Sequence, residues 1–289
     1  MTIPASPTPG GLPVLDRTLV MGVLNVTPDS FSDGGLYADT DAAIQHGLSL
    51  AADGADIVDV GGESTRPGAE RVDVDVELAR VVPVVRALSS AGVRVSIDTM
   101  RAAVAEDALD AGAVLVNDVS GGLADADMVK VIAASGAAYV LMHSRGASSD
   151  MQDRARYDDV VTDVVAELRA RLDVVTDAGV ALDQVVLDPG IGFAKTAEHN
   201  WTLLARLDEL AVLGRPLLVG ASRKSFLGRL LADAEGDPRS VDDREDATTA
   251  LSAVLALNGV WGLRVHAVRP TLDAVRVAAE LRTALRARP

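Results

Sequence analysis

The sequence predicts a (β/α)8 barrel, the TIM-barrel fold class, and three observations favour it. Short, nearly continuous apolar runs occur eight times, as expected of strands that are covered on both faces. Amphipathic helical patterns separate these runs. No break in composition divides the chain, so the alternation belongs to one α/β unit. A doubly wound sheet is the alternative, but it does not require a regular eightfold count.

Each predicted strand ends at or near a polar residue. The strands cover residues 19–27, 56–64, 93–99, 113–122, 138–146, 184–193, 216–224 and 262–268. The predicted helices cover residues 40–53, 74–90, 100–111, 124–135, 157–178, 198–213, 244–259 and 271–286. Asp39 and Asp125 are candidate N-caps of the first and fourth helices, and Gly179 is a candidate end of the fifth.

Residues 1–16 precede the first predicted strand and are rich in Pro, Thr and Gly. The segment has neither a basic start nor an apolar block, so we expect a flexible leader rather than a signal peptide. Residues 17–289 are expected to form a single domain.

Composition argues against several classes of partner. The chain has 289 residues, of which 48% are hydrophobic, and a formal net charge of −15. Nucleic acid and anionic membrane surfaces repel such a protein, and no apolar run approaches the roughly 18 residues of a membrane helix. The chain has no cysteine, which excludes disulfides, thiolate metal sites and a cysteine nucleophile. We therefore expect a soluble, cytoplasmic protein, for which a small anionic ligand remains possible.

Polar residues gather at the predicted strand ends, which meet at one mouth of such a barrel, where its active site lies. They are Asn25, Glu63, Asp98, Asn117, His143, Asp188, Lys224, Arg264 and His266. Each one alone is better explained as a helix cap or a turn former, but their convergence favours a ligand site. Asp98 is expected at the rim of that pocket and not in a buried core.

The residue types at this mouth allow more than one chemistry. Arg264 can pair with phosphate oxygens in a forked geometry and Lys224 can act as a point charge. Asp98, Asn117 and Asp188 could bind a planar heterocycle through adjacent N–H donors. A divalent-metal site and a pair of acid and base carboxylates are competing uses, and the spacing does not choose among them.

Two polar segments rich in Gly and Pro follow the first two strands, at residues 25–37 and 61–72. They could be mobile loops that fold over the mouth. Ordinary long connections are the alternative.

Eight motifs occur in the order characteristic of the dihydropteroate synthase family, which the chain resembles over residues 19–279. They are "MGVLNVTPDSFSDGG", "VDVGGESTRPGA", "SIDT", "NDVSGG", "LMH", "DPGIGFAKT", "GASRKSFLG" and "RVH". The resemblance implies a folate-pathway transferase that joins p-aminobenzoate to 6-hydroxymethyl-7,8-dihydropterin pyrophosphate, giving 7,8-dihydropteroate and pyrophosphate. It also implies Mg²⁺ as a cofactor, a homodimer and a target of sulfonamides.

The resemblance also assigns roles at matching motif positions. The pterin ring would be held by Asp98, Asn117, Met142, Asp188, Phe193, Lys224 and Arg264. The pyrophosphate would be held by Asn25, Arg264 and His266, with Asn25 also assisting Mg²⁺. The p-aminobenzoate pocket would be framed by Phe31, Thr65, Arg66, Pro67, Phe193, Lys224 and Ser225. Asp33, Arg66 and Lys224 would be catalytic.

One departure from the family pattern is Ala267, where the family commonly has Asp after "RVH". This position follows the contacting residues, so we expect a change behind the site and not a loss of activity. A pterin-binding methyltransferase and a non-catalytic pterin-binding homologue are the alternative functions. The "SRKSFLG" and "STRPG" segments disfavour the first, and Ala267 alone supports the second.

Overall fold

The computed structural model describes residue 3 and residues 7–27, 35–63, 71–146 and 154–287, with side chains from residue 40 in the second range. The strands are β1 Leu19–Asn25, β2 Ile57–Gly61, β3 Val95–Asp98, β4 Leu115–Asp118, β5 Ala138–Met142, β6 Val185–Asp188, β7 Leu218–Val219 and β8 Gly262–Val265. The helices are α1 Gly35–Ala52, α2 Val74–Ser90, α3 Ala102–Asp110, α4 Met128–Ser135, α5 Val160–Asp177, α6 Ala197–Ala205, α7 Ser225–Leu230, α8 Glu245–Leu257 and α9 Val268–Arg286.

The eight strands form one parallel sheet in the order β6-β5-β4-β3-β2-β1-β8-β7. The two end strands meet through a parallel bridge between Leu187 and Leu217. Beside it, the Leu187 N–H donates to the Pro216 carbonyl at 2.9 Å. This contact closes the sheet into a barrel, and the predicted fold class is confirmed.

Alternation along the strands sorts the side chains into two cores, because successive residues face opposite sides of a strand. Outward-facing residues such as Val58, Val60 and Ile97 pack with the helices in the larger apolar cluster. A separate apolar cluster fills the lower interior of the barrel, and its members are Leu12, Leu19, Met21, Ile57, Leu115, Ala138, Val140, Val186 and Leu218. Two residues further along β2, β4 and β6, the inward-facing side chains are the polar Asp59, Asn117 and Asp188.

The N-terminal segment differs from the expected flexible leader. Leu12 is buried in the apolar cluster that fills the lower barrel. Nearby, the Trp261 indole Nε1–H donates to the Thr8 hydroxyl at 3.2 Å. Thr8 and Leu12 therefore contact the barrel, while Val14 is 84% exposed.

The helix ends correct two predicted caps. Asp39 lies inside α1, which begins at Gly35, so it is not the N-cap of that helix. Asp125 accepts from the Ala102 N–H at the start of α3 at 2.8 Å and from the Asp127 N–H at 3.0 Å. The N-cap of α4 is Asp127 and not Asp125. Gly179 follows the end of α5 with a φ of 102°, as a helix stop requires. None of the described helices has the length and apolarity to cross a membrane.

Candidate active site

The centre of the barrel mouth is an arginine held by two carboxylates. Arg264 on β8 donates from Nε to Asp59 Oδ2 and from Nη2 to Asp98 Oδ2, both at 2.6 Å. Asp98 is 7% exposed and Asp59 is fully buried. The expectation that Asp98 stands at an open rim is wrong: the side chain is buried, and Arg264 compensates its charge. A buried carboxylate at a strand end is tolerable because it is paired.

Asp59 also connects Arg264 to the amide of Asn117. The same Asp59 oxygen accepts from Asn117 Nδ2 at 3.0 Å, so one carboxylate orients two side chains from different strands. Asp59 is not among the residues predicted from the sequence, because it lies in the middle of β2 and not at its end. The available signal was an acid inside the otherwise apolar run "IVDVG".

Two buried carboxylate oxygens at this mouth keep unused acceptor capacity. Asp59 Oδ1 and Asp98 Oδ1 have no hydrogen-bond partner among the described residues. Burial without a partner is costly for such atoms. A ligand N–H or a water molecule that donates to them removes this cost. The arrangement therefore suits a ligand that brings hydrogen-bond donors.

The second half of the mouth holds Asp188 and Lys224, whose charges attract each other without a direct hydrogen bond among the described contacts. Asp188 ends β6 and accepts from the Gly190 N–H at 2.7 Å. Lys224 donates from Nζ to the Ile191 carbonyl, and its ammonium lies 4.7 Å from the centre of the Phe193 ring. A cation over an aromatic face is attracted by the ring. Met142, at the end of β5, is buried and lies beside Asp188 in the strand register.

Burial shifts the charge states of this mouth. It raises the pKa of Asp98 to about 7, although Arg264 opposes the shift. It also raises the pKa of Asp188, with Lys224 opposing. Burial lowers the pKa of Lys224 to about 8 against the attraction of Asp188. For Arg264, Asp59 and Asp98 outweigh burial and raise the pKa, so the guanidinium keeps its charge. Several displaced pKa values in one cleft are typical of a functional site.

Backbone geometry fixes the loop between β6 and α6 against this cluster. Gly190 and Gly192 have φ values of 69° and 83°, which favour glycine. A Cβ at Gly190 would lie 2.1 Å from the His143 carbonyl oxygen, and one at Gly192 would lie 2.9 Å from Lys224 Cδ. Both glycines are therefore required for the loop to pack closely on its neighbours.

The remaining predicted anion residues surround the same end of the barrel. His266 follows β8, and its Nδ1 lies 3.0 Å from the Ser222 hydroxyl. Asn25 is the exposed last residue of β1, and Ser225 is the exposed first residue of α7. The described residues hold no cluster of three or more His, Asp or Glu side chains suited to a metal ion.

Two predicted mouth residues are engaged elsewhere. The two ring nitrogens of His143 lie 2.9 Å from Glu167 Oε2 and 3.0 Å from Lys195 Nζ, behind the β6–α6 loop. Glu63 accepts from Arg71 Nε at 3.2 Å. The prediction that these two side chains contribute to the ligand cluster is wrong, because each is occupied by a neighbour outside that cluster. The predicted residues Phe31, Asp33, Thr65, Arg66 and Pro67 lie outside the described residues.

Fold and site together define a (β/α)8-barrel enzyme with a polar mouth that suits a planar donor-bearing ligand next to an anion. A family model described as "Pterin binding enzyme" matches residues 21–266. The chain is 58% identical over 259 residues to the dihydropteroate synthase of Mycobacterium leprae (strain TN), covering 89% of this chain and 91% of that protein. The chain belongs to the pterin binding enzymes, and within them to the dihydropteroate synthase family.

Solved structures agree with this membership. A Xanthomonas albilineans dihydropteroate synthase with 4-aminobenzoic acid matches with a TM-score of 0.87 and 40% identity, covering 99% of this chain and 100% of that one. The dihydropteroate synthase from the same organism in complex with 7,8-dihydropteroate matches with a TM-score of 0.84 and 37% identity, at 99% and 100% coverage.

Proposed function

We propose that this protein is a dihydropteroate synthase, which condenses p-aminobenzoate with 6-hydroxymethyl-7,8-dihydropterin pyrophosphate to form 7,8-dihydropteroate and pyrophosphate. The proposal rests on two groups of side chains at the barrel mouth. Buried carboxylates with free acceptor capacity form the first group, and the cations of Arg264 and Lys224 lie beside them. A pterin ring supplies N–H donors for the first group, and a pyrophosphate supplies negative charge for the second.

The ring contacts follow from donor and acceptor chemistry. An ionised Asp188 can accept from the adjacent N3–H and 2-amino groups of the pterin, while Asp98 and Asn117 serve the opposite edge. Arg264, fixed by Asp59 and Asp98, lies beside the ring with its plane already set. Met142, Phe193 and the Lys224 stem supply the apolar surface.

The reaction breaks the bond between the pterin methylene carbon and the pyrophosphate oxygen, and it forms a bond from that carbon to the aryl amine nitrogen. The amine loses one proton and the departing pyrophosphate takes the electron pair. Positive charge develops on the ring, where Asp98 and Asp188 stabilise it, and negative charge develops on the leaving group. Fixed electrostatics of this kind can supply most of the rate enhancement without a covalent nucleophile.

The pyrophosphate site is proposed at Asn25, Arg264 and His266. Two N–H groups of Arg264 already bond carboxylates. Arg264 therefore has fewer donors left for phosphate than the sequence predicted. Mg²⁺ keeps several waters and binds substrate phosphates through few protein ligands, and the exposed Asn25 amide oxygen fits that demand. When bound, Mg²⁺ would neutralise charge on the leaving group.

The p-aminobenzoate pocket is proposed to combine Phe193, Lys224 and Ser225 with Phe31, Thr65, Arg66 and Pro67 of the two loops. Asp33 and Arg66 are proposed as catalytic residues that act on loop closure. Ala substitution of either should keep pterin pyrophosphate affinity near normal and lower turnover by about 10²-fold or more. Normal turnover in both variants would show that these two loops take no part in the mechanism.

A cytoplasmic homodimer is the proposed state of the protein. An exposed face of α9 supports a second copy as partner, because Val277, Leu281 and Leu285 recur every four residues and are 59%, 51% and 51% exposed. Light scattering should give the mass of a dimer, and Leu281→Glu should shift it to that of a monomer. An unchanged mass in that variant would place the interface elsewhere.

The decisive experiment for the activity measures incorporation of labelled p-aminobenzoate into dihydropteroate in the presence of Mg²⁺. Wild type should form product, and a sulfonamide should compete with p-aminobenzoate. Lys224→Met should lower turnover by about 10²-fold or more, since a buried charge at the reacting groups is removed. Lys130→Met is the matched control, because Lys130 is an exposed lysine paired with Asp127 at 2.6 Å.

A wild-type protein that binds pterin pyrophosphate yet makes no dihydropteroate would contradict the proposal and favour a non-catalytic pterin-binding homologue. Methyl transfer without p-aminobenzoate incorporation would favour the methyltransferase.

A further inference from the structure

Lys195 is a buried lysine outside the proposed substrate contacts. It lies near the end of the β6–α6 loop and is 3% exposed. Its ammonium donates to the Phe193 carbonyl at 3.0 Å and lies 3.0 Å from His143 Nδ1. The preceding Ala194 has a φ of 49°, a left-handed conformation that costs a non-glycine residue energy. Lysine is seldom buried unless it is paired, so this placement needs an explanation.

The partners of Lys195 form a chain that returns to the same loop. Burial lowers the pKa of Lys195 to about 7. In its protonated form Lys195 can only donate, so His143 Nδ1 then accepts, and the ring proton lies on Nε2, which donates to Glu167 Oε2 at 2.9 Å. Arg145 bonds the same Glu167 carboxylate and lies 3.8 Å from the Tyr157 ring centre. The Tyr157 hydroxyl donates to the Ala194 carbonyl at 3.0 Å. Lys195 and Tyr157 thus hold two consecutive carbonyl groups of the loop, those of Phe193 and Ala194.

The front of this loop carries groups of the proposed active site. Gly190 N–H bonds Asp188, Ile191 accepts from Lys224, and the Phe193 ring lies under the Lys224 ammonium. A third backbone anchor is the Gly192 N–H, which donates to Asn200 Oδ1 at 2.7 Å. Movement of the Phe193 carbonyl would therefore move the ring on which the Lys224 cation rests.

We propose that Lys195 is a positioning residue for p-aminobenzoate: by holding the Phe193 carbonyl from behind, it sets the Phe193 ring and the Lys224 cation that face this substrate. The inference rests on the proposed synthase function. Pterin pyrophosphate shares Asp188, Phe193 and Lys224 with this loop, but Asp98, Asn117 and Arg264 also hold it from other strands. Lys195 should therefore affect p-aminobenzoate more strongly than pterin pyrophosphate.

The test compares steady-state constants for both substrates in wild type, Lys195→Met, Lys195→Arg and Lys130→Met. Methionine keeps an unbranched stem but leaves the Phe193 carbonyl and His143 Nδ1 without a donor. It should raise the KM for p-aminobenzoate by roughly ten- to a hundredfold, as expected when a reacting group is displaced slightly. The KM for pterin pyrophosphate should rise by a clearly smaller factor, because three of its contacts lie on other strands. Arginine keeps the charge and the donors and should restore part of the loss, and Lys130→Met should match wild type.

Tyr157→Phe is a milder second variant, in case the methionine variant does not fold. It removes only the bond to the Ala194 carbonyl and should raise the same KM by a smaller factor. The inference is overturned if a folded Lys195→Met keeps both constants, if both rise equally, or if Lys195→Met does not fold and Tyr157→Phe matches wild type. A wild type that forms no product overturns the proposed function, and this inference with it. An active wild type beside an unchanged variant overturns the inference alone.

Discussion

The lower and upper halves of the barrel interior are built by the same strands, yet they hold opposite kinds of side chain. Below, Ile57, Leu115 and Val186 pack with other apolar residues and are fully buried. Two residues further along the same strands stand Asp59, Asn117 and Asp188, which are also buried. Strand geometry is therefore not what distinguishes the halves, since alternation brings each set to the interior in turn.

The difference lies in what each half contributes to the free energy of unfolding. The lower half removes apolar surface from water and stabilises the fold. The upper half holds carboxylates that burial makes costly, as the raised pKa values of Asp98 and Asp188 indicate. Its carboxylate oxygens Asp59 Oδ1 and Asp98 Oδ1 have no partner among the described residues, so a ligand that brings N–H donors can bond them. Substitutions in the two halves should therefore separate stability from binding.

The largest effect is expected from Leu115→Ala in the lower half. The side chain is fully buried in a closed barrel that cannot collapse around a cavity, so the free energy of unfolding should fall by roughly 3–5 kcal/mol. Chemical denaturation measures this, and pterin affinity of the folded protein should change little. Leu182→Ala, at a leucine that is 48% exposed, is the control. Equal losses in the two variants would contradict the assigned role of the lower half.

Asp188→Asn, in the upper half, should give the opposite result. The amide would present an N–H to a ligand N–H, so pterin affinity should fall by about 2–5 kcal/mol. The free energy of unfolding should change far less, because Asn can still accept from the Gly190 N–H and the variant removes a buried charge. Calorimetry and denaturation together provide the measurement. Unchanged pterin affinity would remove Asp188 from the ring site.

The pH dependence of the reaction should report Lys224. Burial lowers the pKa of its ammonium to about 8, so the charge is present below that pH and is lost as pH rises through it. If the charge is required, kcat/KM should fall about tenfold per pH unit above that value. Lys224→Arg keeps its charge, so its profile should lack this fall, whatever its absolute rate. A wild-type rate that stays flat to pH 9.5 would assign Lys224 a role that does not need charge.

The smallest effect is expected at Ala267, which directly follows the predicted site residue His266. It is the N-cap of α9 and provides no side-chain cap. Ala267→Asp should raise the free energy of unfolding by about 1 kcal/mol, because a carboxylate can bond the free N–H groups of the first turn. Turnover should be unchanged, since the residue acts on the helix and not on a substrate. Thermal melting and the synthase assay test both halves of this expectation.

The sequence was sufficient for the fold and for most of the polar layer. Eight apolar runs determine the barrel because they must be covered on both faces. Asp98 and Asp188 were found because they lie at or near the ends of those runs. Asp59 was not predicted because its role depends on two partners from other strands, Asn117 and Arg264. A position in one strand does not reveal such partners.

His143 illustrates the opposite error. It follows a strand as the ligand residues do, but its ring turns towards α5 and Lys195. Strand ends alternate between the mouth and the helical layer, so sequence position alone cannot tell which side a residue one step beyond a strand will face. The caps failed for a similar reason, since Asp125 serves a helix that precedes it in the chain.

The closure of the barrel has a consequence for its motions. β7 has two residues, and within the described residues a single bridge between Leu187 and Leu217 joins it to β6. Asp188 and Lys224 lie on opposite sides of this seam. A substrate that contacts both residues would therefore hold β6 and β7 together. In the empty protein the Leu187 amide should exchange its hydrogen with solvent faster than amides of β2 and β3, and occupancy of the mouth should slow it.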